Sequence, residues 1–204
     1  MGSVFFPLDE ELALRSGGYS PYVQQCIVRL GTWLPFEQVP DGLAWFTRVR
    51  VGRETARRLA ERAGAALVAQ ETAAVEHLEQ HWPEPGAPAT LHQLSVDGAM
   101  VPLLHGEWAE VKTLAIGRVA TRGGEPHTTD LSYFSRLADA DGFRRLAWAE
   151  THRRGLTLAP RVCAIVDGAD WCQAFITRHC PQAVRILDVA HAAGGNCRSW
   201  ALRE

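Results

Sequence analysis

Two aspartates stand where apolar, strand-like runs give way to loops, and glycine follows each: Asp97 in Ser95-Val96-Asp97-Gly98, and Asp167 in Ile165-Val166-Asp167-Gly168. A carboxylate at the rim of an apolar strand is costly to bury unpaired, so it needs a donor, a cation or water. The glycine behind it permits a tight turn and close approach by a substrate backbone. Aspartates at the ends of adjacent strands suit hard divalent ions. Phosphodiester cleavage gains from two Mg2+ ions about 4 Å apart, one activating water or a 3'-hydroxyl and the other stabilising the leaving oxygen. Asp-Gly also opens ordinary turns, so on the motif alone both readings stand.

Other residues offer weaker chemistry. Asp188 follows a second apolar run, Val184-Arg185-Ile186-Leu187, and should emerge at the same sheet edge as Asp167. It reads first as the N-cap of a following helix and second as a further metal ligand. Arg53, Arg57 and Arg58 fall within residues 49–62, which could form the second helix of a helix-turn-helix presenting guanidinium groups to DNA; a solvated face on an ordinary bundle helix is the rival reading. His77 and His81 share the four-residue spacing of a zinc pair, but no third ligand accompanies them. Trp108, Glu110 and Lys112 alternate onto one strand face, read from the spacing alone as solvent-facing pairing and given no catalytic role.

The elements that must position these groups divide at Pro83-Glu84-Pro85-Gly86-Ala87-Pro88, where three prolines in six residues forbid helix. Residues 1–82 read as an all-helical head, 83–89 as a proline-rich linker and 90–204 as a core. In the head, Ser20-Pro21 caps a helix running to Gly31, a short helix lies between residues 36 and 49 with Pro40 in its first turn, and a long helix starts at Gly52. In the core, residues 91–103, 108–120 and 128–135 read as strands. Asp139 caps a helix that Gly155 ends, 162–166 is a strand covered on both faces, 170–179 a helix and 184–187 another buried strand. The order β-β-β-α-β-α-β describes an α/β fold, a mixed five-stranded sheet with flanking helices.

Composition sets the frame. The chain has 204 residues, a net charge of -2 and 47% apolar residues, enough for real cores but not for coating nucleic acid nonspecifically. Lys112 is the only lysine among 21 basic residues. Five widely spaced cysteines suggest free thiols in a reducing compartment. With no apolar run of membrane-spanning length and no signal-peptide pattern, the expectation is a cytoplasmic protein without a membrane partner.

Four motifs in order then resemble the DDE transposases of bacterial insertion sequences, in the ISKra-type branch and more distantly the Mutator-like group. They are Val96-Asp97-Gly98-Ala99-Met100-Val101, Gly106-Glu107-Trp108-Ala109-Glu110-Val111-Lys112, Val166-Asp167-Gly168-Ala169-Asp170-Trp171 and Ile186-Leu187-Asp188-Val189-Ala190-His191-Ala192. The resemblance extends into the head and implies an RNase H-like core in which Asp97 and Asp167 are catalytic carboxylates holding Mg2+ or Mn2+. It implies double-stranded DNA at element ends as partner, with Trp108, Glu110 and Lys112 in contact with it, is compatible with a homo-oligomer, and makes strand cleavage and transfer the expected activity. Such transposases continue past this point to a catalytic glutamate, whereas here Gly194-Gly195-Asn196-Cys197-Arg198-Ser199-Trp200 replaces the expected helix. That implies an inactive or partial copy. The alternative is a noncatalytic DNA-binding fragment that competes with or represses transposition.

Overall fold

A computed structural model describes residues 18–103 and 106–188. The chain divides into two compact units, residues 1–70 and 71–204, with the division falling inside a helix.

In the first unit, α1 (Pro21–Gly31) is capped by Ser20, whose hydroxyl accepts the Val23 N–H at 3.3 Å, with proline occupying the first turn where no donor is needed. A second helix, α2 (Val39–Thr47), carries Pro40 in its first turn and ends at Arg48, which takes a left-handed conformation at φ 58°. Thr47 eases that turn, donating to the Leu43 carbonyl and accepting from the Val49 N–H. Ile27, Val39, Leu43, Val51 and Ala56 form the buried core. α3 (Arg53–His81) is a single 29-residue helix. It begins at Arg53, so residues 49–52, expected at the start of a recognition helix, are instead the non-helical connection from α2. Val51 is buried there, and burial of that apolar side chain holds the connection out of helix.

The second unit contains β1 (His92–Pro102), β2 (Trp108–Arg122), β3 (Glu125–Leu137), α4 (Ala140–Leu146), α5 (Trp148–Arg153), β4 (Val162–Val166), α6 (Asp170–His179) and β5 (Val184–Leu187). These make a five-stranded mixed sheet in the order β3-β2-β1-β4-β5, with β1, β2 and β3 antiparallel and β4 and β5 parallel to β1. Leu94, Val96, Leu114, Ile116, Phe134, Val162, Ala164 and Val166 share the face that α4, α5 and α6 cover through Phe143, Ala147, Cys172, Phe175 and Ile176. Burying each large apolar side chain contributes roughly 1.5–3 kcal/mol. That layer positions the first half of β1 and the end of β4.

Several local expectations change. β3 is longer than its apolar run because a Gly123-Gly124 turn, both residues at positive φ, closes a hairpin with β2. The helix expected from Asp139 to Gly155 is two helices separated by buried Ala147. Asp139 caps the first through the Gly142 N–H at 2.7 Å. β5 is not a buried strand: it stands at the sheet edge and all four of its residues are exposed. Its apolar run reads the same as that of β4, and only position in the sheet separates them.

The proline-rich stretch is fixed to this unit. Gly86 N–H donates to the His152 carbonyl at 2.9 Å, and a Cβ on Gly86 would lie 1.8 Å from the Arg153 carbonyl oxygen. Fully buried His92 accepts the Ala89 N–H at Nε2, which leaves Nδ1 protonated to donate to the Gly117 carbonyl at a bulge in β2. Desolvation lowers the His92 pKa, favouring this neutral form. Arg154, also buried, donates to the Asp130 carboxylate and carbonyl and ties α5 to β3.

Candidate functional site

Strand register brings the candidate aspartates together. Val96 of β1 pairs with Val166 of β4, and Val166 pairs with Leu187 of β5. The residues that follow this row are Asp97, Asp167 and Asp188, and the Asp188 N–H extends the ladder by donating to the Val166 carbonyl at 2.9 Å. With neighbouring strands about 4.8 Å apart, the Asp97 and Asp167 backbones lie roughly 5 Å from one another and Asp188 is one strand further out. The helix that Asp188 was expected to cap lies outside the described residues.

Local sequence shapes each position. Asp97 is exposed, and its Oδ1 accepts the Gly98 N–H at 2.7 Å. Asp167 accepts the Ala169 N–H at 2.9 Å across Gly168, whose φ of 92° is open to glycine at little cost. This turn leads directly into α6. On the first turn of α6, buried Cys172 places its thiol 3.5 Å from the Val96 carbonyl. Burial pushes the Cys172 pKa up to about 12, assisted by the negative charges of Asp167, Asp97 and Glu110. Three carboxylates therefore act on one buried thiol.

Glu110 is the member that sequence reasoning missed. It lies on β2 opposite Met100, and its carboxylate reaches back over Gly98, where a Cβ would meet Oε1 at 2.2 Å. Gly98 lies within β1 and leaves a slot for Glu110, so the turn expected after Asp97 is instead continued strand, paired with β2 as far as Pro102. Lys112 was expected on a solvent-facing strand face with Trp108 and Glu110. Instead it is buried, because the even-numbered residues of β2 face the helices, and it is satisfied there by Glu110 Oε2 at 2.5 Å and the Ala138 carbonyl at 3.2 Å. Its ammonium group also lies 5.4 Å from the centre of the Trp171 ring. The signal available in the sequence was the shared parity of residues 110, 112, 114 and 116.

Asp97 and Asp167 offer hard oxygen donors of the kind Mg2+ and Mn2+ take. Glu110 is nearby but engaged with Lys112. Among the described residues, no three His, Cys, Asp or Glu side chains gather as a metal-ligand set.

The candidate DNA-contacting arginines lie on the first turns of α3 and differ in availability. Arg57 is held by Glu54 and Glu61, and those hydrogen bonds and charges raise its pKa. Arg53 pairs with Glu37 at 3.3 Å, whereas exposed Arg58 forms no ion pair among the described residues. His77 and His81 stack with ring centroids 4.3 Å apart, and His81 Nδ1 lies 3.1 Å from the His77 carbonyl.

Among the described residues, no helix is long and apolar enough to cross a membrane. No known family's sequence profile matches the chain, and no curated protein is significantly similar to it.

Proposed function

We propose that this chain is of the DDE-type transposases of bacterial insertion sequences, with an RNase H-like core in which Asp97 and Asp167 are carboxylates of the strand-cleavage and transfer site. The observation that carries the reading is the alignment of the two aspartates immediately after the paired Val96 and Val166 of neighbouring parallel strands, Asp97 midway along β1 and Asp167 just past the end of β4. Its support in sequence is the ordered set of four motifs in which both aspartates occur.

The donor set fits Mg2+ or Mn2+: two carboxylates suffice for an ion that keeps several waters, and the adjoining thiol is buried and held protonated rather than offered as a soft ligand. Asp97 and Asp167 would hold the metal, with Asp188 the next carboxylate along the strand ends. When bound, the metal supplies activation of a water or 3'-hydroxyl and stabilises charge on the leaving oxygen. The chain's own residues fix the geometry. The Gly98 and Ala169 N–H groups orient the two carboxylates, and Lys112 neutralises Glu110.

The test is an assay of the purified chain with duplex DNA carrying element ends and Mg2+ or Mn2+, compared with Asp97→Asn and Asp167→Asn. Metal-dependent nicking or joining lost in both variants supports the reading, and activity that survives both substitutions overturns it. A second reading, noncatalytic DNA binding that competes with an active transposase, is favoured by the lack of a three-residue ligand set among the described residues. It predicts duplex binding that is indifferent to both substitutions, with no nicking by any form.

A further inference from the structure

Away from the aspartates, the helical side of the second unit contains a cavity of about 830 Å³, larger than a mononucleotide requires. One wall is aromatic. Trp82 is 73% exposed, and its ring meets that of Trp148 edge-on with centroids 5.3 Å apart. Its backbone takes φ 45°, a left-handed conformation that costs a non-glycine residue on the order of 1 kcal/mol. Strain that leaves an indole in solvent is unexplained by packing, since exposure forfeits most of what the ring could bury.

Cations line the same cavity: Arg144 and Arg145 of α4 and Arg178 of α6, together with the carboxylates of Glu79 and Asp141. Arg145 is clamped bidentately by Glu79 at 2.7 and 2.6 Å, and Arg144 is held by Asp141 through a single nitrogen at 2.6 Å. Arg178 forms no ion pair among the described residues, which leaves one positive charge in excess over the cavity's two carboxylates. Arg178 also complements the negative end of the α6 dipole, but that role makes no use of Trp82.

An exposed indole beside an unneutralised guanidinium suits a ligand that is flat and aromatic at one end and anionic at the other. We propose that this cavity holds one unpaired nucleotide of a DNA strand, its base against Trp82 and its phosphate on Arg178 and Arg144. The choice of DNA rests on the transposase reading. α6 links the two places: it starts three residues after Asp167, and at 1.5 Å per residue Arg178 lies about 12 Å along the helix from Asp170. At 3.4 Å per nucleotide that separation corresponds to roughly three or four nucleotides of backbone.

The test uses the full chain without metal and fluorescently labelled duplexes, either blunt or with a four-nucleotide single-stranded overhang, read by anisotropy. Stacking contributes about 1–3 kcal/mol per base, so Trp82→Ala should weaken overhang binding about tenfold or more and leave blunt-duplex binding unchanged, while Trp82→Phe retains most of the affinity. Arg178→Ala should lower the salt slope of overhang binding by about 0.7. A circular-dichroism melt of each variant checks folding, and the salt slope of Arg178→Ala carries the comparison if Trp82→Ala is unstable, an unchanged slope overturning the proposal. An unchanged ratio of overhang to blunt affinity in Trp82→Ala overturns the proposal, as does absence of any DNA binding or equal displacement by free mononucleotide. Asp97→Asn measured alongside separates the two readings. It should abolish metal-dependent cleavage and leave overhang binding intact, so failure of one reading is visible without the other.

Discussion

Val96 and Val166 pair directly across parallel strands β1 and β4. Because the chain continues from both in the same direction, Asp97 and Asp167 occupy neighbouring positions with no loop length left to choose. Substituting either should therefore disturb one shared site. We expect Asp97→Asn and Asp167→Asn each to weaken Mn2+ binding at least tenfold by isothermal titration, and the double variant to lose little more than either alone. Additive losses would mean that the two carboxylates act separately.

Gly98→Ala tests the slot beside Asp97. The added methyl would fall 2.2 Å from Glu110 Oε1 and force that carboxylate away from its position over β1. A loss of about 1–3 kcal/mol in urea denaturation is expected. Combining it with Glu110→Ala should recover part of that loss, and a fully additive double variant would show that the strain arises elsewhere.

Acid should destabilise the second unit through His179. This imidazole is buried, with Nε2 2.8 Å from the Arg144 carbonyl and Nδ1 facing the Thr151 hydroxyl, and burial drives its pKa from 6.5 down to about 4. The unfolded chain takes up the proton as pH falls through about 6.5 while the folded protein refuses it until about 4. Stability is then full above that window and is lost across it, by an amount on the order of 3 kcal/mol. Denaturant titrations between pH 7 and 4 should show this slope, and His179→Gln should flatten it.

The three head arginines should contribute unequally to duplex binding. Arg58→Ala is expected to lower the salt slope by about 0.9, the value for one phosphate contact on duplex DNA. Arg57→Ala should change it less, because Glu54 and Glu61 already neutralise that guanidinium. No effect from any of the three would remove the head from the proposed DNA interface, and equal effects would show that its ion pairs do not shield Arg57.

Local signals made most elements legible. Ser20-Pro21, Asp139 and the apolar 162–166 run each carry their own structural instruction, and each element appears in the expected place. The burial of β5 was not legible, since Val184-Arg185-Ile186-Leu187 has the composition of an interior strand and only the sheet order makes it an edge. The juxtaposition of Asp97 and Asp167 followed from two similar apolar runs, but only Asp167 lies at a strand-to-loop transition, because β1 continues through Asp97 to Pro102. Glu110 did not, because its approach depends on cross-strand register and on the absence of a side chain at Gly98, and neither is a property of residues 106–112 by themselves.

The burial of Lys112 gives the chain a built-in reporter. Apart from the α-amino group, every primary amine in the sequence is this one, and it lies beneath Trp171 with Glu110 and Ala138 as its partners. Acylating reagents can reach it only when the junction of β2, β3 and α6 opens, so its labelling rate measures local opening rather than surface exposure. A single mass increment on the peptide containing Lys112, followed over time, reads the breathing of the carboxylate corner without any engineered probe.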